Sequence, residues 1–194
     1  MSAFPSNAGV PVQMDRVGAP STWVQRWAAL IRATDSVLDF AGGRGRNLPA
    51  LLAHTDRVTV ADRDAQALAA ITHPVERLCV DLEAGRWPFG QRRFDVVVCC
   101  NYLFRPRLDL LAALVAPGGM LIYETFAVGH ERHGRPSRPD FLLRRGELLG
   151  LAARTGLEVL AFEDGELSQP APAVVQRICA LRAPVVPEGQ RRVG

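Results

Sequence analysis

Residues 36–47, Ser-Val-Leu-Asp-Phe-Ala-Gly-Gly-Arg-Gly-Arg-Asn, run a short apolar segment straight into a glycine-rich turn. Val37 and Leu38 have the β-branched and aliphatic character of a parallel strand buried on both faces. Gly42, Gly43 and Gly45 let backbone approach a ligand where a Cβ would collide. After Asn47 the period changes, and Leu48, Leu51 and Leu52 fall on one helical face. Strand, glycine turn and helix open a Rossmann-like unit, which points to an α/β fold with a ligand held at the turn.

A chain of 194 residues with 48% hydrophobic content supports one well-buried core. The core domain is expected over 21–183. Residues 1–20 mix Pro5, Pro11 and Pro20 with small and polar residues and lack periodicity, so they read as a flexible arm, and 184–194 as a tail. No charged n-region precedes an apolar h-region and no apolar run reaches spanning length, so a cytoplasmic protein without a membrane partner is expected. Cys79, Cys99, Cys100 and Cys179 lie in apolar, strand-like runs at spacings that suit neither zinc nor a disulfide framework, and are expected to be buried small hydrophobes. A net charge of +3 is too small to imply a nucleic-acid partner.

Ser21 or Thr22 caps a helix whose face carries Trp23, Val24, Trp27, Leu30 and Ile31. The strand at 36–40 and the glycine turn follow, then a helix near 47–54 and a strand from Arg57 to Ala61 that ends at Asp62. Asp64 caps the next helix, through Leu68 and Ile71. Leu78-Cys79-Val80 is a short strand ending at Asp81, and the link through Gly85, Pro88 and Gly90 reads as a loop. Phe94–Cys100 is continuously apolar, as a central strand should be. A helix near 107–115 leads to a tight turn at Pro117-Gly118-Gly119 and a fifth strand over Met120–Thr125. A helix beginning at Glu147 stops at Gly156. Leu157–Glu163 and Ala173–Arg182 are too closely linked for a crossover and should pair antiparallel. The expected fold is a Rossmann-like, mostly parallel seven-stranded sheet with helices on both faces and a C-terminal antiparallel β-hairpin.

Val37-Leu38-Asp39-Phe40-Ala41-Gly42-Gly43-Arg44-Gly45, with the closing hairpin, resembles the class I S-adenosylmethionine (SAM) dependent methyltransferases, the small bacterial type related to tellurite-resistance enzymes. The resemblance covers about 36–126. It implies a transferase with SAM as cofactor and S-adenosylhomocysteine as product. It also implies that Asp39 reaches the ammonium end, that Ala41, Gly43 and Gly45 shape the turn, and that Asp62 accepts the ribose hydroxyls. Asp81 would accept the adenine amine, with Arg63 and Leu82 flanking the ring. Ala41 stands where the family carries its first glycine, a mild change if its φ is negative. Asp39 ahead of the glycines and the terminal hairpin argue against a nicotinamide enzyme.

Methyl transfer from a sulfonium is an in-line displacement that needs alignment more than a covalent step. Asn101 and Tyr102, after the fourth strand, are the catalytic candidates, Asn101 also lying beside the cofactor. The motif of two prolines and an aromatic found in amino-methylating members is missing, since Leu103-Phe104 follow. The segment 126–145 is too polar for core and too long for a simple connection, which marks it as functional. Glu124, His130 and Arg135 are the candidate substrate residues, and the arginines around Arg135 suit an anionic acceptor or a solvated loop equally. His130, Glu131 and His133 lack a further ligand, so no metal is expected. The acceptor expected is a small or anionic molecule. RNA is the alternative partner, and a non-catalytic SAM-binding protein the alternative role. Trp23 and Trp27 suit either a core or an interface, so monomer and homodimer both remain open.

Overall fold

The computed structural model describes residues 18–185. The expected arm and tail therefore lie almost wholly outside the described residues. Seven strands form one sheet: β1 (Val37–Phe40), β2 (Val58–Asp62), β3 (Glu76–Cys79), β4 (Phe94–Cys100), β5 (Val115–Phe126), β6 (Leu157–Leu167) and β7 (Ala173–Arg182). Their order is β3-β2-β1-β4-β5-β7-β6. The first five pair in parallel, whereas β7 runs antiparallel to both β5 and β6. This is the Rossmann-like architecture with its terminal antiparallel hairpin that the sequence led us to expect. Strand order reverses between β1 and β4, and ligands of such sheets lie outside the carboxyl ends at that reversal.

Alternation along the strands divides the core between the two faces. Leu38, Phe40, Val97, Leu121 and Tyr123 pack with Leu108 and Leu111 of α4 (Leu108–Ala113) and with Leu148 and Leu151 of α5 (Glu147–Thr155). Val37, Val96, Val98 and Ile122 pack on the opposite face. There they meet Trp23 and Val24 of α1 (Thr22–Ala28), Leu48 and Leu51 of α2 (Leu48–Leu52) and Leu68 of α3 (Ala65–Ala69).

Two N-caps are as expected. Ser21 accepts from the Trp23 and Val24 amides, and Asp64 from those of Gln66 and Ala67. Three details differ. Leu30 is 53% exposed, because α1 ends at Ala28 and the next residues leave its apolar face. Cys79 is exposed, unlike the three buried cysteines, because β3 is an edge strand whose residues face solvent. Pro117-Gly118-Gly119 lies inside β5 as a bulge rather than ahead of it: Phe94 pairs with Val115 and Val96 with Met120, so extra residues loop out between. A Cβ on Gly119 would lie 2.6 Å from the Asp95 carbonyl oxygen, so only glycine closes that bulge.

Candidate functional site

A cleft of about 110 Å³ opens at the carboxyl ends of the strands, lined by Ala41, Asp62, Arg63, Leu82, Glu83 and Tyr102. Ala41 follows β1, Asp62 ends β2 with Arg63 next to it, Leu82 and Glu83 come after β3 and Tyr102 after β4, so the strand reversal itself builds the site. The floor is aromatic, with the Tyr102 ring edge-on to Phe40 at 5.4 Å.

The glycine turn is held by side chains as well as by its own backbone. Asp62 accepts the Gly43 amide at 2.8 Å on Oδ2 and the Asp64 amide at 2.9 Å on Oδ1. Each oxygen thus fixes one backbone group while the side chain lines the cleft, and a carboxylate oxygen has lone-pair capacity for a second donor. Gly42 lies against Asp39, where an added Cβ would sit 2.9 Å from Oδ2 and 2.7 Å from Val60. Ala41 has φ of +56°, and Asn101, at the end of β4, has φ of +54°. Alanine at the first glycine position is therefore not the mild change expected for negative φ. It occupies the left-handed region at a cost of about 1 kcal/mol.

Asp39 is 1% exposed, and neither carboxylate oxygen has a partner in hydrogen-bonding geometry. Burial pushes its pKa up to about 7, opposed by the Asn47 side chain, which lies nearby without reaching that geometry, and by Arg46, with Asp62 adding to the rise. Asp81 differs from the other two aspartates. Its Oδ1 accepts the Glu83 and Ala84 amides at 2.7 and 2.9 Å, and it does not line the cleft. Those bonds hold the carboxyl below its ordinary range. They fix the loop that carries Leu82 and Glu83 into the site. Arg63 pairs with Glu83 across the cleft at 3.8 Å.

On the acceptor side the candidates separate. Asn101 is exposed, does not line the cleft, and donates its amide to the Glu124 carbonyl at 2.9 Å. Tyr102 lines the cleft, and its own carbonyl accepts the Tyr123 hydroxyl at 2.7 Å. The Tyr102 hydroxyl is buried without a partner, and burial first, then Glu83, raises its pKa. Glu124 is buried and engaged through both oxygens, by the Ser21 hydroxyl at 2.8 Å and Arg177 at 3.3 Å. It anchors α1 to β5 and β7. His130 is also a structural element: it stacks on Phe126 at 4.1 Å, its Nδ1 accepts the Val174 amide, and Nε2 faces the Arg135 carbonyl at 3.1 Å. Those contacts assign the proton to Nε2. Arg135 is exposed and lines a separate surface concavity with Pro136, Ser137, Arg138 and Phe141. No group of three or more metal-ligating side chains occurs among the described residues.

Residues 37–119 match the methyltransferase domain family. Over that stretch, somewhat under half of the chain, the sequence is similar to methyltransferase domains. TehB from Haemophilus influenzae has a similar fold, with a TM-score of 0.64 and 21% identity, over 82% of this chain and 61% of that one. The present chain thus spans about three fifths of the length of TehB. A Bacillus halodurans protein described as a putative methyltransferase superposes with a TM-score of 0.65 at 16% identity, over 82% of this chain and 97% of that one. Magnesium protoporphyrin IX methyltransferase from Synechocystis, a structure with bound SAM, gives 0.59 at 16% identity over 82% of this chain and 76% of that one. No curated protein matches the sequence.

The residues at the site fit SAM. A buried carboxylate with two orphaned oxygens calls for a cation, and the SAM methionine end carries an ammonium group. Sequence reasoning missed Glu83, which lines the cleft from the turn that Asp81 caps. It also missed Arg105 and Arg107. Their partners are mainly backbone carbonyls, which have no signature in the sequence.

Proposed function

We propose that the protein transfers the methyl group of SAM to a small or anionic acceptor by in-line displacement. The unpartnered, buried Asp39 beside the glycine turn is the observation that carries the cofactor reading. In this reading Asp39 meets the ammonium end, directly or through water. Asp62 takes the ribose hydroxyls on the lone pairs left by Gly43 and Asp64, and Ala41, Gly43 and Gly45 form the turn beneath. Leu82 and Arg63 flank the base, Glu83 joins them, and Asp81 contributes by holding their loop. When bound, SAM supplies an electrophilic methyl on a sulfonium. The chain aligns the acceptor and keeps water out, which accounts for the absence of a designated nucleophile. Tyr102 walls the site, and Asn101, held left-handed at the β4 exit, shapes the path to it.

The anionic acceptor rests on the concavity of Arg135, Arg138 and Phe141 and on Arg144 and Arg145, which line a neighbouring groove with Val128 and Asp164. Arginine forks recognise carboxylate or phosphate. None of the helices in the described residues is long and apolar enough to cross a membrane, and we place the protein in the cytoplasm. Calorimetry with SAM, S-adenosylhomocysteine and NAD tests the cofactor, with binding expected for the two sulfur compounds alone. NAD binding without a response to either would overturn the reading. Comparing methylated metabolites and RNA between a deletion strain and its parent then identifies the acceptor.

A further inference from the structure

One short turn touches both halves of this site. Arg105–Arg107 forms a single 3-10 turn directly after the Tyr102–Phe104 exit from β4. Arg105 points towards the acceptor segment. Its Nε and Nη2 form a two-pronged pair with Glu147 at 2.7 and 2.9 Å. Nη1 donates to the Asp140 carbonyl at 2.8 Å, and Nη2 to that of Leu142 at 2.7 Å. Glu147 Oε2 in turn accepts the Arg144 amide at 2.8 Å. One guanidinium therefore gathers the end of the acceptor segment and the start of α5.

Arg107 points the other way. Its Nη1 donates to the Leu82 carbonyl at 3.2 Å and Nη2 to the Gly85 carbonyl at 2.6 Å, with the guanidinium 5.8 Å from the Trp87 ring. Leu82 and Glu83, the cleft wall, sit on the loop so held. A guanidinium suits this task because its planar, permanently charged fork satisfies several carbonyls in fixed directions. Pro106 restricts the backbone between the two arms.

We propose that Arg105 and Arg107 are positioning residues that register the acceptor segment against the cofactor cleft through one turn. Filling the cleft steadies the Leu82–Gly85 loop. Through Arg107, the turn and Arg105, it also steadies residues 139–147, which do not line the cleft. This rests on the cofactor reading above.

The test combines calorimetry with hydrogen exchange on the full chain, using S-adenosylhomocysteine as the probe. In the wild type the probe should slow exchange at 82–87 and also at 139–147. Arg107→Ala should weaken binding about tenfold and, at saturating probe, abolish the protection at 139–147. Arg105→Ala should leave affinity within about twofold yet also abolish that protection. Arg105→Lys and Arg107→Lys, which keep the charge but not the fork, should restore it in part and serve if either alanine variant fails to fold. Wild-type binding with no change at 139–147, or undiminished protection there in the folded variants, would overturn the proposal. Equal loss of affinity in both alanine variants would do so too. Failure of the wild type to bind the probe would instead bring down the cofactor reading.

Discussion

Ala41 combines a strained backbone with a position in the glycine turn, and the strain can be measured. An alanine at φ of +56° lacks the freedom that glycine has there. Ala41→Gly should therefore stabilise the protein by up to about 1 kcal/mol, the strain relief exceeding the added entropy of the unfolded chain. Urea denaturation checks it, and a loss of stability would show that the methyl group's packing outweighs the strain. Asp39 gives the complementary prediction. Its native pKa is raised from 3.8 to about 7, so the folded state binds the proton more tightly than the unfolded state. Stability from this group is full below about pH 4 and is lost as pH rises towards 7, roughly 4 kcal/mol in all. Asp39→Asn, which cannot ionise, should remove that loss and be more stable than wild type at pH 8 without ligand, while binding S-adenosylhomocysteine more weakly. Denaturation at pH 5 and pH 8, with calorimetry, checks both. A variant that is less stable at pH 8 would mean that Asp39 has a cationic partner in the free protein.

At the scale of elements, α1 is fastened to the sheet by polar contacts as much as by apolar ones. The Ser21 hydroxyl caps α1 and donates to Glu124, the Ser21 amide donates to the Asn47 side chain, and the Trp23 indole donates to the Ile178 carbonyl. Ser21→Ala removes the cap and leaves a buried carboxylate oxygen unmatched, so it should cost about 2 kcal/mol. Thermal denaturation measures this, and a cost below about 0.5 kcal/mol would show that another group replaces the hydroxyl. The central strands were legible as short apolar runs buried on both faces, and the helices by the three-to-four-residue spacing of their apolar side chains. Bulges and loop anchors were not. The glycines of Pro117-Gly118-Gly119 signal a departure from regular structure, but a turn and a bulge make the same demand on them. Arg105 and Arg107 look like ordinary surface arginines because the carbonyls they hold belong to residues 37 and 22 positions away. Glu124 and His130 stood out as polar residues in a suspected site, yet their polarity is absorbed by structural partners, Ser21 and Arg177 for Glu124 and Val174 with Arg135 for His130.

The whole molecule converts these local features into one linkage. A ligand that binds only the folded chain stabilises it by about 2.7 kcal/mol at a hundredfold excess over its Kd. For a chain of this size that corresponds to a rise of roughly 5–10 °C in Tm. S-adenosylhomocysteine should produce such a rise, and NAD none, because the cleft presents Asp62 and Glu83 where a pyrophosphate would bring further negative charge. The rise should also depend on pH. With Asp39 near 7, most free protein at pH 6 carries a proton that the ligand's ammonium group must displace, whereas at pH 8 the carboxylate is already ionised. Affinity should be about tenfold weaker at pH 6 than at pH 8, with a proton released to buffer on binding at the lower pH. Calorimetry in two buffers of different ionisation enthalpy measures that proton directly. Binding with equal affinity at both values and no proton release would separate Asp39 from the ammonium site, leaving Asp62 and the cleft walls to hold the cofactor.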